Sequence, residues 1–184
     1  MSLGFLVDGS AIVELSGKGN FNKSLDFVAS MIGSFDVSQN ATRPGMVVFS
    51  QNPHLVFNFS RHENSVDAMA DVRTASYPNS GRKTGKALNF VRRKLFSESA
   101  AREEVSNYLI FLTNGASYDF VETPAKLLRE QNVTIFSIGI GNDYSVEELK
   151  LITGYNDTRV YTTTYQDLQG LQKTLKKEIC SCKL

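Results

Sequence analysis

Two cysteines, two histidines, and scattered carboxylates and hydroxyls could carry chemistry in this 184-residue chain, and most lack the neighbours that chemistry needs. A nucleophile requires an adjacent base, yet no G-x-S-x-G elbow occurs. His54 opens a strand-like run and His62 a loop, so both are expected to be exposed. Ser16-Gly-Lys-Gly-Asn20 lacks the spacing of a phosphate-binding loop and reads as a turn, as does Gly139-Ile-Gly141. Glu103-Glu104 and Glu147-Glu148 fall on helical stretches and read as solvated faces. So do Arg92-Arg93-Lys94 and Lys176-Lys177, for which a solvated face is preferred over a polyanion site. Cys180 and Cys182 form a C-x-C pair, a loop too short to close comfortably on itself. With two histidines elsewhere a four-ligand zinc site has no evident partners. The cysteines are therefore disulfide candidates towards another chain or a neighbouring domain, with idle thiols as the alternative. No catalytic residue and no cofactor are expected.

What remains is three loops: Asp8-Gly9-Ser10, Thr113-Asn114-Gly115, and the segment before Thr84. The elements around them follow from hydrophobic periodicity. Leu3–Val7 and Tyr108–Leu112 are continuous apolar runs, as strands buried on both faces require. Met46–Phe49 is a further strand, and His54–Phe59 alternates as its antiparallel edge partner after the turn at Asn52-Pro53. Strands are also expected at 133–139 and 159–162. Helical spacing runs from Phe21 through Leu25, Val28 and Ile32 to Gly33. Further helices are expected at about 64–73, 84–96, 121–131, 145–153 and 165–179, with Pro124 in the first turn of its own. Strands alternating with helices predict an α/β fold. It is a doubly wound, Rossmann-like three-layer sandwich, with a mostly parallel six-stranded sheet and one antiparallel edge strand. In such sheets ligands sit at the carboxyl edge of the strands, where the three loops lie.

Composition sets the outer bounds. Hydrophobic residues make up 41% and charged residues 21%, ordinary values for a globular chain. The length suits one domain, expected over 1–179 with a cysteine-bearing tail over 180–184. A formal net charge of +1 supplies no global field for nucleic acid or an anionic membrane. No apolar run approaches the roughly 18 residues that span a bilayer. The chain enters its first strand directly, without a secretory leader, as a domain cut from a longer protein would.

Five segments together resemble the von Willebrand factor type A family. They are Phe5-Leu-Val-Asp-Gly-Ser10, Arg43-Pro-Gly-Met-Val-Val-Phe-Ser50, Thr84-Gly-Lys-Ala-Leu88, Leu109-Ile-Phe-Leu-Thr-Asn-Gly115 and Ile135-Phe-Ser-Ile-Gly-Ile-Gly141. They occur in family order and spacing over nearly the whole chain. Arg92-Arg-Lys-Leu-Phe96 followed by Ser99-Ala-Ala-Arg102 is most similar to the domains of collagen VI-type chains.

The resemblance implies a metal-ion-dependent adhesion site of the form D-x-S-x-S, completed by a threonine and an aspartate from two other loops. That all-oxygen set suits a hard cation such as Mg²⁺. Carried over by position, Asp8 and Ser10 remain. Ile12 stands at the second serine, Arg82 at the threonine and Asn114 at the aspartate. The resemblance therefore implies a degenerate site, with weak or absent Mg²⁺ at Asp8 and Ser10. Either Arg82 replaces the cation as Asp8's partner, or Arg82 points to solvent while Asp8 bonds loop amides or caps a helix.

The implied function is a non-enzymatic extracellular-matrix module that binds collagen or other matrix proteins without a bridging metal. A structural spacer in a fibrous protein and a cation-dependent cell-adhesion domain are the alternatives. Partner-binding candidates are Tyr77, Asn79, Arg82, Lys83, Tyr118 and Phe120, with Pro78 in the same loop, because aromatic and Arg side chains dominate interface centres. Self-association or interchain disulfides through Cys180 and Cys182 are further expectations. Four N-x-[ST] sequons, at Asn40, Asn58, Asn132 and Asn156, mark glycosylation candidates. Asn40 and Asn156, in loops, are expected to be the more accessible. With the terminal cysteines they favour a secreted glycoprotein of the matrix.

Overall fold

In the computed structural model, residues 1–97 and 105–181 are described. Glu103-Glu104, Ser99–Arg102 and Cys182 lie outside them. One sheet is formed by β1 (Ser2–Asp8), β2 (Arg43–Phe49), β3 (Pro53–Phe57), β4 (Asn107–Gly115), β5 (Val133–Asp143) and β6 (Val160–Thr163). Its order is β3-β2-β1-β4-β5-β6. β2 and β3 are antiparallel, and the other neighbours are parallel.

The middles of the central strands, Leu3–Val7 and Tyr108–Leu112, are apolar because both faces are covered. In β1, Leu3, Phe5 and Val7 enter one core while Leu6 enters the other. In β4, Tyr108, Ile110 and Leu112 alternate in the same way with Leu109 and Phe111. The first core is closed by α1 (Ala11–Leu15), α2 (Asn20–Gly33), α3 (Ser65–Arg73) and α7 (Gln172–Ser181). The second is closed by α4 (Thr84–Phe90), α5 (Glu122–Glu130) and α6 (Val146–Thr153). Truncating a fully buried side chain such as Phe5 or Phe111 to Ala costs about 3–5 kcal/mol at such positions. Strand order reverses at β1, so the loops after β1 and β4 open side by side at the carboxyl edge.

Several expectations are corrected. The loop after Asp8 turns at once into the short helix α1, whose single buried side chain, Val13, gave periodicity too little to register. The helix expected over 84–96 is α-helical only to Phe90 and continues as a π turn over Val91–Leu95, with Val91 and Leu95 both in the core. The last helix begins at Gln172, after a 3₁₀ turn at Leu168–Leu171, and runs through Cys180 to Ser181, past the boundary expected at 179. His62 is 6% exposed rather than open to solvent. Its ring meets Phe57 edge-on at 4.7 Å, and its Nε2 lies 3.0 Å from the Asp71 carboxylate.

Candidate functional site

The three loops at the carboxyl edge are sewn together by backbone. Ala11 N donates to Ser80 O at 2.8 Å, and Asn79 N to Gly9 O at 3.0 Å. Asn79 takes a left-handed φ of 50°, which an asparagine tolerates better than most side chains. Tyr118 N donates to Arg82 O at 2.9 Å. Asp119 accepts from Gly85 N and Lys86 N at 2.7 and 2.9 Å, capping α4 from a loop more than thirty residues away. Glycine is required at 85 because a Cβ there would stand 2.0 Å from the Phe120 carbonyl oxygen.

Asp8 sits at the centre of this seam, buried. Its carboxylate accepts from Ser10 N at 2.8 Å, from Thr113 Oγ1 at 2.8 Å and, more weakly, from Asn114 N at 3.4 Å. Arg82 is 6% exposed and does not pair with Asp8. Its Nε donates to Ala116 O at 2.7 Å and its Nη1 to Ser10 Oγ at 3.3 Å, while its Cζ lies 5.3 Å from the centre of the Tyr118 ring. Both arrangements expected for Arg82 are thus corrected in part: Asp8 does bond loop amides, but the guanidinium is turned inward without reaching it. Gly115 makes the room, since a Cβ at 115 would lie 2.4–2.6 Å from the guanidinium atoms.

The donor set does not suit a divalent cation. Ile12 supplies no side-chain oxygen, Ser10 Oγ is engaged by a cation already, and both Asp8 oxygens are occupied by donors. Thr84 Oγ1 and Asn114 Oδ1 are buried without a partner. Two neutral oxygens beside a fixed positive charge fall far short of the six or more oxygens that a hard cation takes.

Other expected residues divide cleanly. Tyr77 is half-buried: its hydroxyl donates to Ser10 O at 2.8 Å and its ring packs on Phe21 at 5.0 Å. Burial pushes that hydroxyl's pKa up. Pro78 and Lys83 are half-buried, and Asn79 is exposed. Tyr118 and Phe120 are 71% and 95% exposed. Glu148, expected on a solvated face with Glu147, is half-buried and accepts twice from Ser117 N, at 3.0 and 3.1 Å. Burial raises its pKa, the Asp119 charge adds to the rise, and the Ser117 amide and Arg82 charge oppose it. Asn58 and Asn132 prove exposed, whereas Asn156 is half-buried with its Oδ1 accepting from Thr158, reversing part of the expected order of accessibility. Ser117 and Asp119, and the bonds that Thr113 and Glu148 make, escape sequence reading because each acts across the fold, where no local spacing signals it.

Comparison with known proteins agrees with this fold. The family model for the von Willebrand factor type A domain matches residues 2–176. The chain is 35% identical over 177 residues to the collagen alpha-4(VI) chain of Mus musculus, covering 96% of this chain and 8% of that one. It is 29% identical to human vitrin over 97% of its own length and 26% of vitrin's. It thus spans a small part of each of these relatives. Among solved structures, proximal thread matrix protein 1 from the mussel byssus superposes with a TM-score of 0.89 at 26% identity, over 95% of this chain and 46% of that one. The chain belongs to the von Willebrand factor type A domain family.

Proposed function

We propose that the chain is a non-enzymatic interaction module of a secreted matrix protein, engaging collagen or another matrix protein through its carboxyl-edge loops without a bridging metal. The observation that carries the reading is the buried Arg82 guanidinium, held by Ala116 O and Ser10 Oγ where relatives of this family offer a hydroxyl to an ion. A fixed charge held by the protein itself needs no ion to organise the edge. It also orders Tyr118, whose ring covers the guanidinium, and Phe120 projects beside it almost wholly into solvent. Large aromatic side chains standing free beside a rigid edge are what partner recognition uses. The relatives support the setting, since they include a collagen VI chain and a byssal thread matrix protein.

The exposed thiol of Cys180, in the last turns of α7, stands where a bridge to a further chain or domain would form. Asn40, Asn58 and Asn132 are the sequons most open to a glycan. A spacer in a longer fibrous protein remains the second reading, favoured by the same thiol.

Binding of the chain to immobilised collagen, measured with and without EDTA, tests the proposal. The expected result is binding that EDTA leaves unchanged and that Phe120→Ser weakens by about tenfold, the size of a 1.4 kcal/mol contact. Loss of binding in EDTA would restore a cation-dependent edge. Equal binding by wild type and Phe120→Ser would favour the spacer. Titration with Mg²⁺ or Mn²⁺ adds an independent reading: micromolar affinity at the Asp8 edge sinks the metal-free proposal.

A further inference from the structure

A second cluster of positive charge lies away from the Asp8 edge, beneath α4 and its π turn. Lys86, Arg92, Arg93 and Lys94 line an open cavity of about 870 Å³, together with Asn89 and Gln131. A run of three cations on a helix is ordinarily a solvated face, and two features here depart from that. First, the i→i+5 turn rotates less per residue than an α-helical turn, so consecutive residues fan over a narrower arc. Val91 and Leu95 are buried at its ends, and all three cations between them reach the same cavity. Secondly, the described residues do not neutralise the cluster. Among the described residues no carboxylate lies within 4.0 Å of the side-chain cation of any of the four, and nearby Glu130 is paired with Lys126 at 3.8 Å. Arg92 spends two of its donors on Asn89 Oδ1, at 3.3 and 3.1 Å, and Lys86 reaches Asn52 Oδ1 at 2.6 Å. Arg93 and Lys94 are exposed.

We propose that this groove binds a linear sulfated polysaccharide, with Arg92, Arg93 and Lys94 each meeting a sulfate. The chemistry selects that class. Guanidinium forks and ammonium groups match the oxygens of a sulfate. Asn89 and Gln131 supply neutral hydrogen bonding of the kind that sugar hydroxyls use. Nucleic acid fits less well, since single strands are held by stacking on open aromatic faces, and the one aromatic lining the groove, Phe90, is half-buried. A formal net charge of +1 removes any global attraction, so binding of a polyanion would report this local cluster. Arg92, Arg93 and Lys94 lie outside the carboxyl-edge loops, which the groove meets at Lys86, so the proposal does not rest on the partner proposed for that edge.

The test is surface binding of the full chain to heparin-derived oligosaccharides across a salt series. The expected result is affinity that falls with rising NaCl. In R92S/R93S/K94S it should fall at least about tenfold, with the log–log salt slope reduced by about three, one per lost ion contact. R93S/K94S, which alters only exposed side chains, should lose about two of those three. The charge-matched variant K18S/K173S/K177S carries its changes on the α2 and α7 side of the sheet and should bind as wild type does. Circular dichroism establishes that each variant is folded. The proposal is overturned if the charge-matched variant loses as much affinity as the groove variant, or if wild type does not bind at low salt. Unsulfated hyaluronan binding equally well would remove the sulfate requirement. Equal competition by single-stranded DNA would make the groove a general polyanion surface.

Discussion

Arg82 and Arg93 are the same side chain put to opposite use. Arg82 lies in the seam between three loops, with its donors directed to Ala116 O and Ser10 Oγ, an aromatic ring over it and a glycine cut away beneath it. Arg93 stands on the π turn, exposed and, among the described residues, without a carboxylate within 4.0 Å. A buried cation whose hydrogen bonds are consumed at home is architecture, because its removal strands the groups it satisfied. An exposed cation with open donors costs little to keep and little to lose, and what it offers is charge for something outside the fold. The contrast separates the part of the molecule that holds the edge in shape from the part available to a ligand.

The sharpest way to break that contrast is to truncate both. Arg82→Met is expected to cost about 2–4 kcal/mol of stability in denaturant unfolding, since it leaves one buried and one half-buried acceptor without its donor. Arg93→Ser is expected to stay within about 0.5 kcal/mol of wild type. Equal costs for the two would mean that Arg82 is no structural member. Gly115→Ala sharpens the same point, because its Cβ would enter the guanidinium's space at 2.4–2.6 Å. It should cost about 2–3 kcal/mol alone and distinctly less when Arg82→Met is already present, a coupling of about 1–2 kcal/mol in the double-mutant cycle. Strict additivity would place the clash elsewhere.

How far the sequence disclosed this arrangement follows from the range over which each signal acts. The doubly wound sheet is legible because β1 over Leu3–Val7 and β4 over Tyr108–Leu112 carry no polar side chain, as strands covered on both faces require. The positions of Asp8, Ser10, Arg82 and Asn114 in one edge were legible through the family spacing of their loops. The partners of Arg82 were not. Attraction between opposite charges pointed to Asp8, but Asp8 is already satisfied by Ser10 N and Thr113 Oγ1, and a backbone carbonyl at Ala116 carries no signature in sequence. The inward bond of Tyr77 is illegible for a similar reason, since its hydroxyl meets a carbonyl on α1's entry that periodicity does not predict. The π turn was invisible because its residues are ordinary helix formers. Their charges gathered in one groove only through how that turn is wound.

A gain of function gives a smaller expected effect and tests the edge from the other side. Restoring the family's oxygens with Ile12→Ser, Arg82→Thr and Asn114→Asp together removes the fixed charge and supplies three donors. At 10 mM Mg²⁺ the triple variant should be stabilised by about 1–2 kcal/mol if its affinity is sub-millimolar, while wild type is unchanged. The comparison is made on melting temperature with and without Mg²⁺. A wild-type shift as large as the variant's would show that Arg82 does not exclude the ion.

The smallest expected effect concerns Glu148, whose carboxylate accepts from Ser117 N at the margin of the same edge. Burial lifts its pKa above the ordinary 4.5 in the folded chain. Below 4.5 the group is protonated whether the chain is folded or not and makes no pH-dependent difference. As pH rises through 4.5 the unfolded chain ionises first, so the folded state binds more protons and loses relative stability until pH has passed its own higher pKa. Wild type therefore carries a small deficit at neutral pH that Glu148→Gln, neutral throughout, does not share. The stability of Glu148→Gln minus that of wild type should rise from pH 4 towards neutrality and then level off. A difference that stays flat, or that falls, would mean that the Ser117 amide and the Arg82 charge outweigh burial. Glu148 would then belong with Arg82 among the residues whose charge the fold has fully accommodated.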